Sequence, residues 1–216
     1  YNTLAELRHC SELGSLVLEN TQATSLPTMG KLTRIAGDLR VSGAETLTSL
    51  AYFPALQQVD GKVIVQDTGI TSLVLPALEQ VWQEFVVSSS PIEQVDLGSL
   101  HTVEGHLSFE LLDNLETLNL NALTFLTSLR IEQTAALGDV TVSNLDTVHG
   151  SISIKNNAAL KTFSMVQLDV VSGSVEFVGN PSLELVDMPM LSTIHNALRM
   201  QSLESLVAVN FNALNT

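Results

Sequence analysis

Five histidines, 23 carboxylates, one cysteine and many serines are the side chains of this 216-residue chain that could do chemistry. Histidines suggest a metal. His149 and His195 occupy the same place in a repeat set out below, two repeats apart. In stacked strands that separation is about 10 Å. Zinc needs its ligands about 2 Å from one ion, so the pair cannot share one. His101 is expected beside Glu79, and His106 among Ser128 and Ser151, as ordinary surface contacts. Neither a metal nor a cofactor is expected.

Carboxylates suggest acid/base work on a sugar, which needs two groups within reach of one bond. The outward column of the main strand reads Val17, Arg40, Ile64, Val86, Ser108, Arg130, Ser153, Glu176, Arg199. Its arginines stand at least three repeats apart and only Glu176 is acidic, so it is no catalytic constellation. Nucleophile and phosphate motifs are absent: no Gly-x-Ser-x-Gly, no Gly-rich phosphate loop, no His-Glu-x-x-His. The run Ser88-Ser89-Ser90 reads as a turn. Cys10 is expected as a buried thiol in the inward place held later by Ile35 and Val59. The threonines do not stack in the ranks an ice-binding face requires. No enzyme is expected.

The elements that position these residues come from one recurring phrase. It reads Leu-x-x-Val/Ile-x-Gly-x-Leu/Val-x-Val/Ile, a polar loop, then Leu/Ile-x-x-Leu/Val. It starts at Leu32, Leu56, Leu78, Leu100, Leu123, Leu145, Leu168 and Leu191, every 22 to 24 residues. A degenerate first copy covers about 7–31, with Leu16 and Leu18 in the strand. The main strand sets two apolar residues around one outward position, as in Leu39/Val41, Val63/Val65 or Ile152/Ile154. A second apolar set follows each loop, from Leu47/Leu50 and Ile70/Leu73 to Leu206/Val209. One such coil cannot bury its apolar side, whereas stacked coils share a core. No window sustains a 3.6-residue period with helix caps. The fold class is therefore mainly β, a right-handed parallel β-solenoid of about nine coils, forming one repeat domain over 1–216. At about 4.8 Å per coil it is a rod roughly 40 Å long. The next start falls at Leu214, so the array is expected to be part of a longer one. The opening Tyr1, in place of Met, suggests a processed or excised segment.

Just before the main strand stand Gly37, Gly61, Gly105, Gly150 and Gly173, with Asn196, Ser128 and Gln83 in other copies. Glycine with Asn as substitute predicts a turn at positive φ. Ser151, one place further on, is expected to point outward. After the loop, Glu93 and Glu116 are expected to stack as like charges, and Lys161 and Glu184 as opposite ones.

Composition bounds the partners. Nine Lys+Arg against 23 Asp+Glu give a net charge of −14, which excludes the basic footprint that nucleic acid needs. An anionic membrane surface is disfavoured for the same reason. Hydrophobic residues at 45% and charged ones at 15% exclude a disordered chain. No apolar run reaches the 18 residues of a membrane span.

The phrases Leu145-Asp-Thr-Val-His-Gly-Ser-Ile-Ser-Ile-Lys-Asn-Asn-Ala-Ala-Leu160 and Leu168-Asp-Val-Val-Ser-Gly-Ser-Val-Glu-Phe-Val-Gly-Asn-Pro-Ser-Leu183 resemble receptor L domains. That family is leucine-rich and β-helix-like, as in growth-factor receptors, fungal GPI-anchored cell-wall proteins and bacterial surface proteins. The resemblance runs from Leu32 onward. Two features depart from it: Cys10 is alone where the family closes its caps with disulfides, and no Asn-x-Ser/Thr sequon occurs, since Pro181 follows Asn180. The missing sequon favours a bacterial surface or periplasmic protein. The resemblance implies an extracytoplasmic binding or scaffold module (cell surface, secreted or periplasmic) whose partner is a protein or a glycan. It transfers no catalytic residue. Alternatives are a sensor ectodomain for a small ligand and a polysaccharide-active solenoid enzyme. The expected contact patch is Ile64 and Val86, aliphatic where an outward strand position is normally polar, with Trp82, the only Trp, on the turn entering the same coil.

Overall fold

In a computed structural model of the chain, which describes residues 4–214, the protein is a parallel β-solenoid of about nine turns. Each turn carries up to three strands. A short strand comes first, as in Arg34–Ile35, Gln58–Val59 and Gln80–Val81. The main strand follows, as in Leu39–Ala44, Val63–Thr68 and Ile152–Lys155. From the third coil on, a back strand closes the turn, as in Ser72–Val74, Gln94–Asp96 and Thr162–Ser164. In the fifth and sixth coils the short and main strands run together as Thr102–Glu110 and Phe125–Glu132, joining the front of the rod into one 16-stranded sheet. The only helix among the described residues is the 3-10 segment Leu4–His9 ahead of the first coil.

The repeat phrase maps onto this geometry residue by residue. Every starting Leu from Leu32 to Leu191 is buried, as are the inward pairs of the main strand through Val175/Phe177. β-branched and aromatic side chains suit this two-residue period, because successive positions face core and solvent in turn. The starting Leu also closes a tight turn. Its N–H donates to the carbonyl three residues back, as from Leu32 to Met29, Leu78 to Leu75 and Leu168 to Met165. Those acceptors belong to a further inward column absent from the repeat phrase: Met29, Phe53, Leu75, Leu97, Leu120, Val142, Met165 and Met188, all buried.

Cys10 does not occupy the inward place of Ile35 and Val59. Leu13 pairs with Ile35 and takes it. Cys10 instead stands three residues earlier, where later coils have their starting Leu, and its N–H closes the same turn on Leu7. It lies partly buried at the edge of the core.

The glycine column is real, but its cause is not positive φ. None of Gly37, Gly61, Gly105, Gly150 and Gly173 lies in the left-handed region. They are glycines because the coil before them passes too close. A Cβ on Gly61 would stand 2.6 Å from the carbonyl carbon and oxygen of Gly37, and one on Gly173 would stand 2.5 Å from the Gly150 oxygen. In the sixth coil the column's place belongs to Thr127, not Ser128, because that coil is one residue shorter at this corner and the register shifts between Val103 and His106. Ser151 does not stand free. Its N–H donates to Ser128 Oγ at 3.1 Å, and its own Oγ accepts the Ser174 N–H at 3.0 Å.

The left-handed residues form a different column, at the corner after the main strand. Asn20, Gly43, Asp67, Ser89, Leu111, Gln133, Asn156, Gly179 and Ser202 all have φ between 49° and 68°. There is one per coil. Immediately after this corner a side chain turns inward. In five coils it is polar and wholly or nearly buried: Thr68, Ser90, Thr134, Asn157 and Asn180. Asn180 Nδ2 donates to the Ile154 carbonyl, and its Oδ1 accepts from Asn157 N–H and Asn157 Nδ2. Asn157 repeats the arrangement one coil earlier toward Ile131 and Thr134. Buried amides need such partners, and the stacking supplies them from one coil to the next.

Candidate functional surface

The main strands place their outward residues in register across the front of the rod. The pairs Val17–Arg40–Ile64–Val86–Ser108–Arg130–Ser153–Glu176–Arg199 run unbroken from coil to coil. A second outward column, unread in the sequence, lies two residues on: Glu19, Ser42, Gln66, Ser88, Glu110, Glu132, Lys155, Val178, Gln201. It brings Glu110 and Glu132 onto adjacent coils, which the first column alone conceals. Arg130 lies beside both, with Nε 3.8 Å from Glu110 Oε1 and Nη1 3.8 Å from Glu132 Oε2. Ser108 donates to Glu110, and Ser153 donates to Glu132 at 2.8 Å.

Other charges on this face are also met. Lys155 pairs with Glu176, whose carboxyl is held below its ordinary range by the Lys155 hydrogen bond. Lys62 reaches Glu84 at 3.1 Å. At the edge near the first coils, Arg34 bridges Glu12 at 2.7 Å and Asp60. Hydrogen bonds from Arg34 and then Gln58 hold the Asp60 carboxyl below the usual carboxylate range. The back strands carry no Lys or Arg, while Asp96, Asp139 and Asp187 stand on them. The cations of the rod are concentrated on its front.

Between these charges lies the apolar pair. Ile64 and Val86 are register partners on adjacent coils and both are half-exposed. Trp82 is 42% exposed on the corner that leads into Val86's strand, so it does not fold into the core. Next to the pair, two shallow depressions of about 220 and 250 Å³ share His106 and Arg130. Glu84, Val86, Ser108 and Glu110 line the first, and Ser128, Ser151 and Ser153 the second. Comparison with family models, curated proteins and solved structures returns no match.

The remaining chemical candidates fall outside this surface or fail to converge. His149 and His195 share a corner column with Ser172 between them, through the register of Val148, Val171 and Ile194. His149 stacks on Phe125 with ring centroids 4.7 Å apart. Among the described residues no three His, Cys, Asp or Glu side chains come together as metal ligands. His101 follows Glu79 in the next coil, its N–H bonded to the Glu79 carbonyl. Glu93 and Glu116 stand at matching places on adjacent coils, with Glu116 N–H on the Glu93 carbonyl. Lys161 and Glu184 are likewise neighbours along the backbone, yet no ion pair joins them among the described residues.

The back of the rod is not continuous. Its strands form one group of three ending at Thr117–Asn119 and one of four beginning at Asp139–Thr141. Among the described residues no backbone hydrogen bond joins the two groups. The amides of Leu120 and Gly138 therefore lack the partners that Leu97 and Lys161 find in neighbouring coils. Side chains bridge the gap further on, where Asn144 Nδ2 donates to the Asn121 carbonyl at 2.6 Å. Leu118 is left half-buried beside a depression of about 360 Å³.

Proposed function

We propose that this chain is a non-enzymatic binding module of an extracytoplasmic surface, with the front of the rod as the contact face. The observation that carries the reading is the partly exposed Ile64/Val86 pair with the exposed Trp82 on the corner leading into Val86's strand, framed by polar groups already paired to one another. Exposed aliphatic and aromatic side chains with a polar rim are the usual composition of a contact patch. The resemblance of the repeat to receptor L domains agrees with such a role, and a protein or glycan at the cell surface is the partner class. The test is binding of the purified chain to a glycan array and to isolated cell-wall polymer. Wild type is expected to bind, and Trp82→Ala and Ile64→Asp to bind at least tenfold more weakly with an unchanged melting temperature. Loss of stability in both variants, with no binding change in the folded fraction, would make these residues structural.

A second reading rests on Glu110 and Glu132. Strand spacing of about 4.8 Å sets the two carboxylates on neighbouring coils with Arg130 between them, the kind of pair that acid/base attack on a polysaccharide requires. A turnover screen on neutral and acidic polysaccharides decides it. Product formation abolished by Glu110→Gln and Glu132→Gln would establish the enzyme and displace the binding reading.

A further inference from the structure

The short strands build a second outward surface on the same front sheet, and its chemistry differs from that of the main strands. Their aligned outward residues read Gln80, Thr102, Phe125, Thr147, Val170 and Thr193 from the fourth coil to the ninth. None is charged, in a chain whose net charge is −14. The main strands spend their polar groups on one another, as in Lys62 with Glu84, Arg130 with Glu110 and Glu132, and Lys155 with Glu176. On the short strands that capacity is unspent. Among the described residues the side chains of Gln80, Thr102 and Thr147 have no hydrogen-bond partner.

Rings stand along the same strip. Phe125 is half-buried, and His149 on the next coil stacks on it with centroids 4.7 Å apart. Trp82, 42% exposed, lies two coils before Phe125, about 10 Å along the rod. Acidic groups border the strip: Glu79, Glu104, Asp146 and Asp169 are all exposed. From the third coil to the ninth, the short strands and the positions flanking them carry no Lys or Arg. Sugar rings offer an apolar C–H face between edges of hydroxyls. The face suits exposed aromatic rings, and the hydroxyls suit unpaired amides, hydroxyls and carboxylates. The same carboxylates repel a polymer that carries its own.

We infer that the ligand of the front sheet is a neutral polysaccharide, laid along the rod over the short strands from Trp82 to His149. The inference rests on the binding reading above and names its partner. Affinity electrophoresis tests it: the acidic chain runs in native gels that hold laminarin, hydroxyethyl cellulose or galactomannan, with alginate and polygalacturonate as acidic controls. At least one neutral polymer is expected to retard wild type, and neither acidic one. Phe125→Ala is expected to weaken that binding at least tenfold. So is the double variant Gln80→Ala/Thr102→Ala, whose lost side chains hold no partner in the fold; it carries the test should Phe125→Ala unfold. Retardation by no neutral polymer overturns the proposal and leaves protein as the partner class, and equal retardation by the acidic polymers overturns it too. Weakening by Ile64→Asp but by neither strip variant also overturns it, and leaves the main-strand patch standing. Weakening by the strip variants but not by Ile64→Asp upholds it and removes that patch.

Discussion

At the scale of single residues, two glycine-related columns separate conformation from contact. Gly61 has an ordinary φ but no room, since the Gly37 backbone would meet its Cβ at 2.6 Å. Gly138 has nothing within 4 Å of that position. Gly61→Ala is therefore expected to destabilise by roughly 1–3 kcal/mol through overpacking. Gly138→Ala is expected to be neutral, or to stabilise by a few tenths up to about 1 kcal/mol through the unfolded state. Urea unfolding of both variants checks the contrast, and equal effects would refute it. In the left-handed column most residues are Asn, Asp, Ser, Gln or Gly, but Leu111 holds φ 55° with an exposed side chain. A bulky residue in this region carries about 1–2 kcal/mol of strain. Leu111→Gly is expected to raise stability by about 1 kcal/mol, less than the full strain because glycine also gains freedom in the unfolded chain. A fall in stability would show that Leu111 is held by packing instead.

At the scale of the elements, the buried Asn157 is the strongest test of how the coils are tied together. It serves the amide and hydroxyl of Thr134, the carbonyl of Ile131 and the side chain of Asn180. Asn157→Leu keeps the branching of the side chain, with bulkier end groups, and leaves those groups unmet, at about 1–3 kcal/mol for each buried group left unsatisfied, to which overpacking adds. The expected result is a large drop in the urea midpoint, whereas loss of less than 1 kcal/mol would show that water replaces the amide. How much of this was legible in the sequence follows from the same elements. Period-two apolar pairs such as Ile152/Ile154 can only be strands, and their fixed spacing dictates stacking, so the solenoid could be read directly. The buried Asn157 and Asn180 looked like polar loop residues, because a side chain that finds its partners in another coil has no local signal. Positive φ was assigned to the wrong glycines for a related reason: Gly61 and Gly179 look alike in sequence, while one is crowded by a neighbouring coil and the other turns a corner. The Glu110/Glu132 pair was missed because only one outward column was read. The outward positions of Ile64 and Val86 were legible because period-two alternation is visible in one dimension; the contact patch they form with Trp82 is the proposal made above.

At the scale of the whole molecule, acid titrates the ion pairs of the front sheet. Asp60 and Glu176 have carboxyls lowered by Arg34 and Lys155. A lowered carboxyl contributes stability that is present above the unfolded value, about pH 4, and is lost as pH falls through the folded one. Both groups are partly exposed, so the contribution of each is small. Falling pH also relieves the repulsion of a −14 chain, so the test is a difference between proteins. The stability gap between wild type and Asp60→Asn is expected to close as pH falls from 6 toward 3, and a gap constant across that range would remove Asp60 from the acid response. The interrupted back ladder makes its own prediction by hydrogen exchange. The amides of Leu120 and Gly138 are expected to exchange at least tenfold faster than those of Val142 and Lys161, which donate to Ser164 and Gly138. Equal protection would mean that the two groups of back strands are joined in solution. That interruption has a mechanical consequence. Between the fifth and sixth coils the front is tied by paired strands from Thr102 to Glu110, while the back, in place of a strand ladder, has the hydrogen bonds of Ser143 and Asn144 to Asn121 over the shared apolar core. Under a load along its axis the rod behaves as a beam fastened along one side. It is expected to yield there by opening at the back of that joint and pivoting on the front sheet, which makes the angle between its two halves a soft coordinate.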